Sequence, residues 1–286
     1  MKNIAFMGFG EAAGAYASGL REVTDRISAY DIKLDRPTDS AACLHRMAAL
    51  NVAACDLAGL RDASLILCLV TADQALVAAQ AAAPHLAAGA LWCDGNSCAP
   101  DTKRQAAQVI AAAGARYVDL AIMAPVHPRL HHTPMLASGP DAATAVAALA
   151  AFEMQARVVG DMIGQASAIK MLRSVIIKGL EALTAEAFLA ARAAGVEMAV
   201  IASLQASDPG IDWEKRGAYN IERMLVHGAR RAAEMQEVAA TLRALGLPDR
   251  MAQATCQWQS DLAALALDPG VDDLGLRADL VLQAVR

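Results

Sequence analysis

The chain has 286 residues, 56% hydrophobic and 19% charged, with a formal net charge of -5. That length favours two domains, and the apolar content excludes global disorder. The acidic balance leaves no basic footprint for a phosphate backbone, so a small molecule is the expected partner and nucleic acid is not.

Aromatic residues amount to only 4%. Ala, Leu, Val and Met must therefore fill the core, which suits packed helices and argues against an all-β fold. Asn3 to Met7 reads as a strand, Gly8 to Gly14 as a glycine-rich turn, and Ala12 to Arg21 as a helix. Arg26 to Tyr30 is a second strand that ends at Asp31. Ser64 to Val70 is an apolar run bounded by turn signals, as a parallel strand buried on both faces requires. A helix over Gln74 to Leu86, a strand over Ala90 to Cys93 and a helix over Thr102 to Ala113 follow. Tyr117 to Met123 is a strand stopped by Pro125. This alternation predicts a doubly wound parallel sheet of the Rossmann type over residues 1–160. Beyond it the strand signal ends. Helices are predicted over Gly164 to Gly195, Ile221 to Leu245, Met251 to Leu267 and Leu274 to Val285, giving an all-helical second domain over 161–286. The class is α/β with an all-α carboxyl-terminal domain.

The six cysteines show no Cys-x-x-Cys pair and sit in apolar surroundings, the usage of reduced thiols. The apolar start is interrupted by Gly8, Gly10 and Glu11, which argues against a secretory signal. No apolar run approaches the ~18 residues of a membrane span. A cytoplasmic protein without membrane contact is expected.

Gly8-Phe9-Gly10-Glu11-Ala12-Ala13 matches the dinucleotide-binding fingerprint with alanine at its third small position. Gly8 permits the turn, Gly10 lets the backbone approach a pyrophosphate, and Ala13 keeps helix and strand close. The helix amino end then offers unpaired N–H groups to phosphates. Asp31 follows about 20 residues on, where a carboxylate accepts hydrogen bonds from ribose hydroxyls and repels a 2′-phosphate. NAD is thus expected ahead of NADP, although Lys33 and Arg36 lie close in sequence. Val70 and Thr71, at the end of a central strand, belong beside the cofactor, because ligands of such sheets bind outside the carboxyl ends of the strands.

Four segments carry a resemblance: Ile4 to Gly10, Asp94-Gly95-Asn96-Ser97-Cys98-Ala99-Pro100, Asp119 to Val126, and Gly164 to Lys170. In this order and spacing the sequence resembles the β-hydroxyacid dehydrogenase superfamily, which includes 6-phosphogluconate and 3-hydroxyisobutyrate dehydrogenases. The distal part, around Tyr219, His227 and Glu234, resembles a divergent helical domain of that superfamily. The resemblance implies a homodimer, and a helical domain that closes over the active site. It implies that Lys170 is the general base for the substrate hydroxyl, a role that needs an uncharged amine, which burial and a helix amino end would favour. It implies that Asn96 and Ser97 hold cofactor and substrate in a polar turn.

Two departures accompany it. The family's Pro-Val-Ser-Gly-Gly reads Pro125-Val126-His127-Pro128-Arg129 here, and Ser174 stands where a partner asparagine is usual, so a bulkier or differently charged substrate is expected. His127, Arg129 and His227 become candidate substrate contacts. The histidines at 127, 131 and 132 lack a carboxylate on the same element, so no metal is expected. The resulting reading is an NAD-dependent oxidoreductase acting on a secondary alcohol of a hydroxy acid or a bulkier, possibly aromatic, substrate. Three alternatives stand beside it: a lyase that retains NAD and cleaves a C–C bond to release carbon dioxide or formaldehyde, an imine reductase, and a silent nucleotide sensor.

Overall fold

A computed structural model of the chain describes residues 3–24 and 26–285. The chain divides into two compact units at 171/172, inside a helix, where the composition pointed to 160/161. The first unit carries one sheet: β1 (Ile4–Met7), β2 (Ile27–Tyr30), β3 (Ala53–Ala54), β4 (Leu65–Cys68), β5 (Leu91–Asp94), β6 (Arg116–Ile122), β7 (Met135–Ser138) and β8 (Ala156–Gly160). Its order is β3-β2-β1-β4-β5-β6-β7-β8. The chain direction reverses its winding between β1 and β4, the place where doubly wound sheets open a crevice for ligands.

Successive residues of a strand point to opposite faces, and β1 obeys this. Ile4 and Phe6 join a core with α1 (Glu11–Leu20), α2 (Pro37–Ala49) and α5 (Ala142–Ala150). Ala5 and Met7 join a second core around Trp92, with α3 (Ala75–Ala82) and α4 (Pro100–Ala112). Both faces are covered, which is why the central strands are apolar without alternation.

The expected doubly wound parallel sheet is present, with one antiparallel pairing. The strands from β3 to β6 pair in parallel, but β7 runs antiparallel to β6. A parallel return needs a crossover of a dozen or more residues, usually through a helix. The connection 123–134 is only at the lower limit of that length and holds a single 3₁₀ turn at Leu130–His132 in place of a crossover helix, and the strand returns antiparallel. β8 then pairs in parallel with β7.

Helix α6 (Gln165–Ala193) leads into the second unit, which continues with α7 (Glu197–Ser207), α8 (Trp213–Ala244), α9 (Arg250–Ala264) and α10 (Leu274–Ala284). Helix α8 starts earlier than the predicted Ile221, because the Asp212 carboxylate caps it by accepting from Lys215 N at 3.0 Å. Phe188, Ile221, Met224, Leu262 and Val281 form the core of this unit. No helix among the described residues is long and apolar enough to cross a membrane.

Candidate active site

The turn between β1 and α1 is shaped by its glycines. Gly8 has φ +90°, and a β-carbon there would lie 2.5 Å from the Leu69 carbonyl oxygen, so no other residue fits without displacing backbone. Gly10 faces open space, and no side chain caps the amino end of α1. The turn therefore presents bare backbone and uncapped N–H groups, the combination that receives a phosphate. Glu11 is exposed on the first turn, and Ala13 is buried against the sheet.

Asp31 is buried and braces this turn. One carboxylate oxygen accepts from Phe9 N at 2.7 Å and the other from Lys33 N at 2.9 Å. Each oxygen keeps a further lone pair for a ribose hydroxyl. Arg46, on α2, donates to the Phe9 carbonyl at 3.1 Å and so brings a guanidinium to the turn. The residue was not singled out in the sequence, because only the packing of α2 carries it there. These features fit a dinucleotide.

At the carboxyl ends of β4 and β5, the Asn96 side chain staples two strands together. Its Oδ1 accepts from Val70 N at 2.6 Å, and its Nδ2 donates to Cys68 Sγ at 3.2 Å. Its backbone N–H donates to Asp94 Oδ1 at 2.9 Å. Asn96 thus acts from behind, shaping the turn that carries Ser97, while Thr71 is exposed just beyond β4. Burial pushes the Cys93 thiol up to about 12 and Cys68 well above the ordinary thiol value, so neither is a nucleophile at neutral pH.

Lys170 lies in the second turn of α6, and its Nζ donates to Ser97 Oγ at 2.5 Å. Both residues are half-buried. A buried polar network adjoins the Ser97 turn; its Asp94, Asp119, Gly164 and Ser167 lie in the segments that carried the resemblance, but none of its members was assigned a site role from sequence. Lys103, on α4, is fully buried. Its ammonium donates to the Asp94 carbonyl at 2.5 Å and Asp94 Oδ1 at 3.0 Å, and lies 3.3 Å from Asp119 Oδ1. Tyr117 donates its hydroxyl to Asp94 Oδ2 at 2.7 Å. Asp119 Oδ2 accepts from Gly164 N at 3.2 Å, Ser167 N at 3.0 Å, Ser167 Oγ at 3.1 Å and Ser138 Oγ at 3.1 Å. The Ser97 turn and the amino end of α6 are therefore tied to one buried cation. Burial opposes the charge on Lys103, but Asp94 and Asp119 together outweigh it and hold its pKa above the usual lysine value. The available signal was two acids within buried strands, Asp94 closing β5 and Asp119 inside β6, which require a cation to pair with.

His127 and Arg129 are exposed on the β6–β7 connection. Ser174 and His227 belong to the helical unit, the first buried and the second half-buried. Lys178, two turns beyond Lys170 along α6, is buried; it pairs with Glu234 at 2.6 Å and lies 3.4 Å from Ser174 Oγ. Burial pushes its pKa down, with Glu234 opposing. Beside it Arg231 pairs with Glu181, which also accepts from Gln259 at 2.9 Å.

The first unit matches a known domain. Residues 3–164 match the NAD binding domain of 6-phosphogluconate dehydrogenase, and residues 191–262 match a domain of unknown function, DUF1932. The chain belongs to the family defined by the first of these and carries its NAD(P)-binding domain. A conserved hypothetical protein from Sinorhizobium meliloti 1021 is 38% identical over 99% of this chain and 97% of its own, with a TM-score of 0.78. MTH1747, a conserved protein of unknown function described as structurally similar to 3-hydroxyacid dehydrogenases, is 30% identical over 92% and 98% of the two chains, TM-score 0.73. The 3-hydroxyisobutyrate dehydrogenase of Mycobacterium tuberculosis shares the fold at 14% identity over 98% and 99%, TM-score 0.76. No protein of curated function matches the sequence.

Proposed function

We propose that the protein is an NAD-dependent oxidoreductase that converts a secondary alcohol of a hydroxy acid, or of a bulkier hydroxylated compound, into a ketone. The observation that carries the reading is the 2.5 Å contact between Lys170 Nζ and Ser97 Oγ, on the same unit as the open glycine turn. NAD, when bound by Gly8 to Ala13 and Asp31, supplies the hydride acceptor. Ser97 orients the substrate hydroxyl by hydrogen bonding, and Lys170 accepts the hydroxyl proton as the carbinol carbon loses its hydride, leaving an ammonium, a carbonyl and no net change in atoms. The Asn96 staple keeps the Ser97 turn fixed against the end of β4, which spares reorganisation during the step. His127 and Arg129 replace a glycine platform with an imidazole and a guanidinium, which supports an anionic or bulkier substrate.

NAD rather than NADP is supported by Asp31, whose charge at the end of β2 disfavours a 2′-phosphate. A homodimer is supported by Leu172, Ile176, Leu180 and Leu183, which are exposed at helical spacing on α6. The six free thiols suit a reducing compartment.

The test is a panel of 3-hydroxy acids and aryl secondary alcohols, read simultaneously by NADH absorbance and product mass. Ketone formed in step with NADH, and lost in Lys170→Ala without loss of fold, is the expected result. Product shortened by a carbon fragment with no NADH would replace the reading by a lyase that retains its cofactor. Cofactor binding without turnover across the panel would leave a nucleotide sensor.

A further inference from the structure

The 3₁₀ turn at Leu130–His132 gathers groups that the proposed reaction does not use. His131 is 7% exposed, and both of its ring nitrogens are buried without a hydrogen-bond partner. An imidazole always offers at least one N–H and one lone pair, or two N–H groups, so a buried ring with neither nitrogen engaged leaves an unmet demand. One face of that demand is closed. A β-carbon on Gly19 of α1 would overlap His131 Nδ1, so this nitrogen is pressed against helix backbone. Its other ring nitrogen, Nε2, is equally buried and likewise unpartnered.

Two further donors stand around it. The His132 ring lies against the His131 ring, with centroids 3.9 Å apart and planes inclined at 40°. His132 Nδ1 lies 3.0 Å from the Glu153 carbonyl. Donation to that carbonyl fixes the tautomer and frees Nε2 as a lone-pair donor, the arrangement that second-shell carbonyls impose on metal-binding histidines. Glu153, from the turn between α5 and β8, supplies a carboxylate. One ligand atom from each of His131, His132 and Glu153 lies within 4.8 Å of the others. Ligands about 2.1 Å from a common zinc ion sit ~3.4 Å apart in a tetrahedron, so closing the set takes about an ångström of movement by exposed side chains.

We propose that His131, His132 and Glu153 form a binding site for one divalent transition-metal ion of the zinc class, with its remaining positions filled by water. Two imidazoles and one carboxylate are the borderline donors that select zinc, nickel or copper over magnesium or calcium. Glu153 and Glu22 supply negative charge near the His131 ring. The expectation of no metal rested on the missing carboxylate within the loop; the carboxylate arrives from another element, 21 residues away in sequence. A bound ion would fasten the connection that carries His127 and Arg129 to the end of α5. The site is independent of the proposed reaction.

The test uses the full chain without a polyhistidine tag, stripped with EDTA and titrated with zinc chloride by calorimetry. One saturable equivalent is expected, with a higher melting temperature in excess zinc. His132→Asn and Glu153→Gln alter exposed side chains and leave the fold intact, and each should weaken zinc binding by about tenfold or more. Cobalt(II) titration should give visible bands in the wild type that both variants diminish. Absence of a saturable equivalent, or equal affinity in wild type and both variants, overturns the site and assigns any bound zinc to other surface histidines.

Discussion

Lys103→Met isolates what the buried cation does. The methionine fills a similar volume but removes the charge that faces Asp94 at 3.0 Å and Asp119 at 3.3 Å, both fully buried. Breaking a buried ion pair by deleting one partner costs about 3–5 kcal/mol, because a charge is left uncompensated. Against a domain stability of about 5–15 kcal/mol this is a large share, and at about 2–4 °C per kcal/mol the melting temperature should fall by ~6–20 °C. In the variant the two carboxylates are left facing each other with no cation between them. The pH dependence of the wild type appears on the alkaline side. The raised Lys103 pKa contributes stability that is fully present below the ordinary lysine value and lost only as pH rises through the folded one. Urea unfolding of wild type, Lys103→Met and the double variant Lys103→Met/Asp94→Asn, each at pH 5 and 8, gives the comparison. The double variant should regain part of the loss by removing one stranded charge. A Lys103→Met protein that unfolds at the wild-type urea concentration would refute the reasoning. In whatever fraction stays folded, turnover should fall while NAD affinity holds, because the network supports the Ser97–Lys170 pair and not the glycine turn.

Other substitutions separate fold from function. Gly10→Ala meets open space in the free protein and should leave the melting temperature within about 1–2 °C, while weakening NAD at least ~tenfold by fluorescence titration; an unchanged affinity would remove the turn from the cofactor site. Gly8→Ala should instead destabilise the fold, since its β-carbon would strike the Leu69 carbonyl. Lys178→Met should cost only about 1–2 kcal/mol, less than Lys103→Met, because Glu234 keeps Arg230 at 2.7 Å. Burial lowers the Lys178 pKa, so the wild type should gain stability over this variant as pH rises towards the ordinary lysine value; a gap that narrows with pH would contradict that sign. Ile176→Glu should convert a dimer to a monomer in analytical ultracentrifugation without altering the far-ultraviolet circular dichroism.

The local signals in this chain were strong where chemistry and backbone geometry coincide. Gly8 between an apolar run and a helix defines the tight turn from sequence, because the positive φ and the close approach to Leu69 are tolerated by that residue type itself. The long helices were readable for the same reason: their apolar period is local. Alanine-rich α5 passed unnoticed because alanine carries little contrast between a buried and an exposed face, and α7 because its apolar residues are spread around the helix and form no single stripe. Only the tertiary structure reversed β7, since strand direction depends on what the connection can span. It also decided that Asp94, Lys103 and Asp119, from three separate elements, share one buried charge balance beneath Lys170, and that Glu153 reaches the two adjacent histidines. Sequence spacing encodes neighbours along a helix or strand; the partners of a buried charge or an orphaned imidazole are chosen by packing between elements, and their identity appears only when those elements are in place.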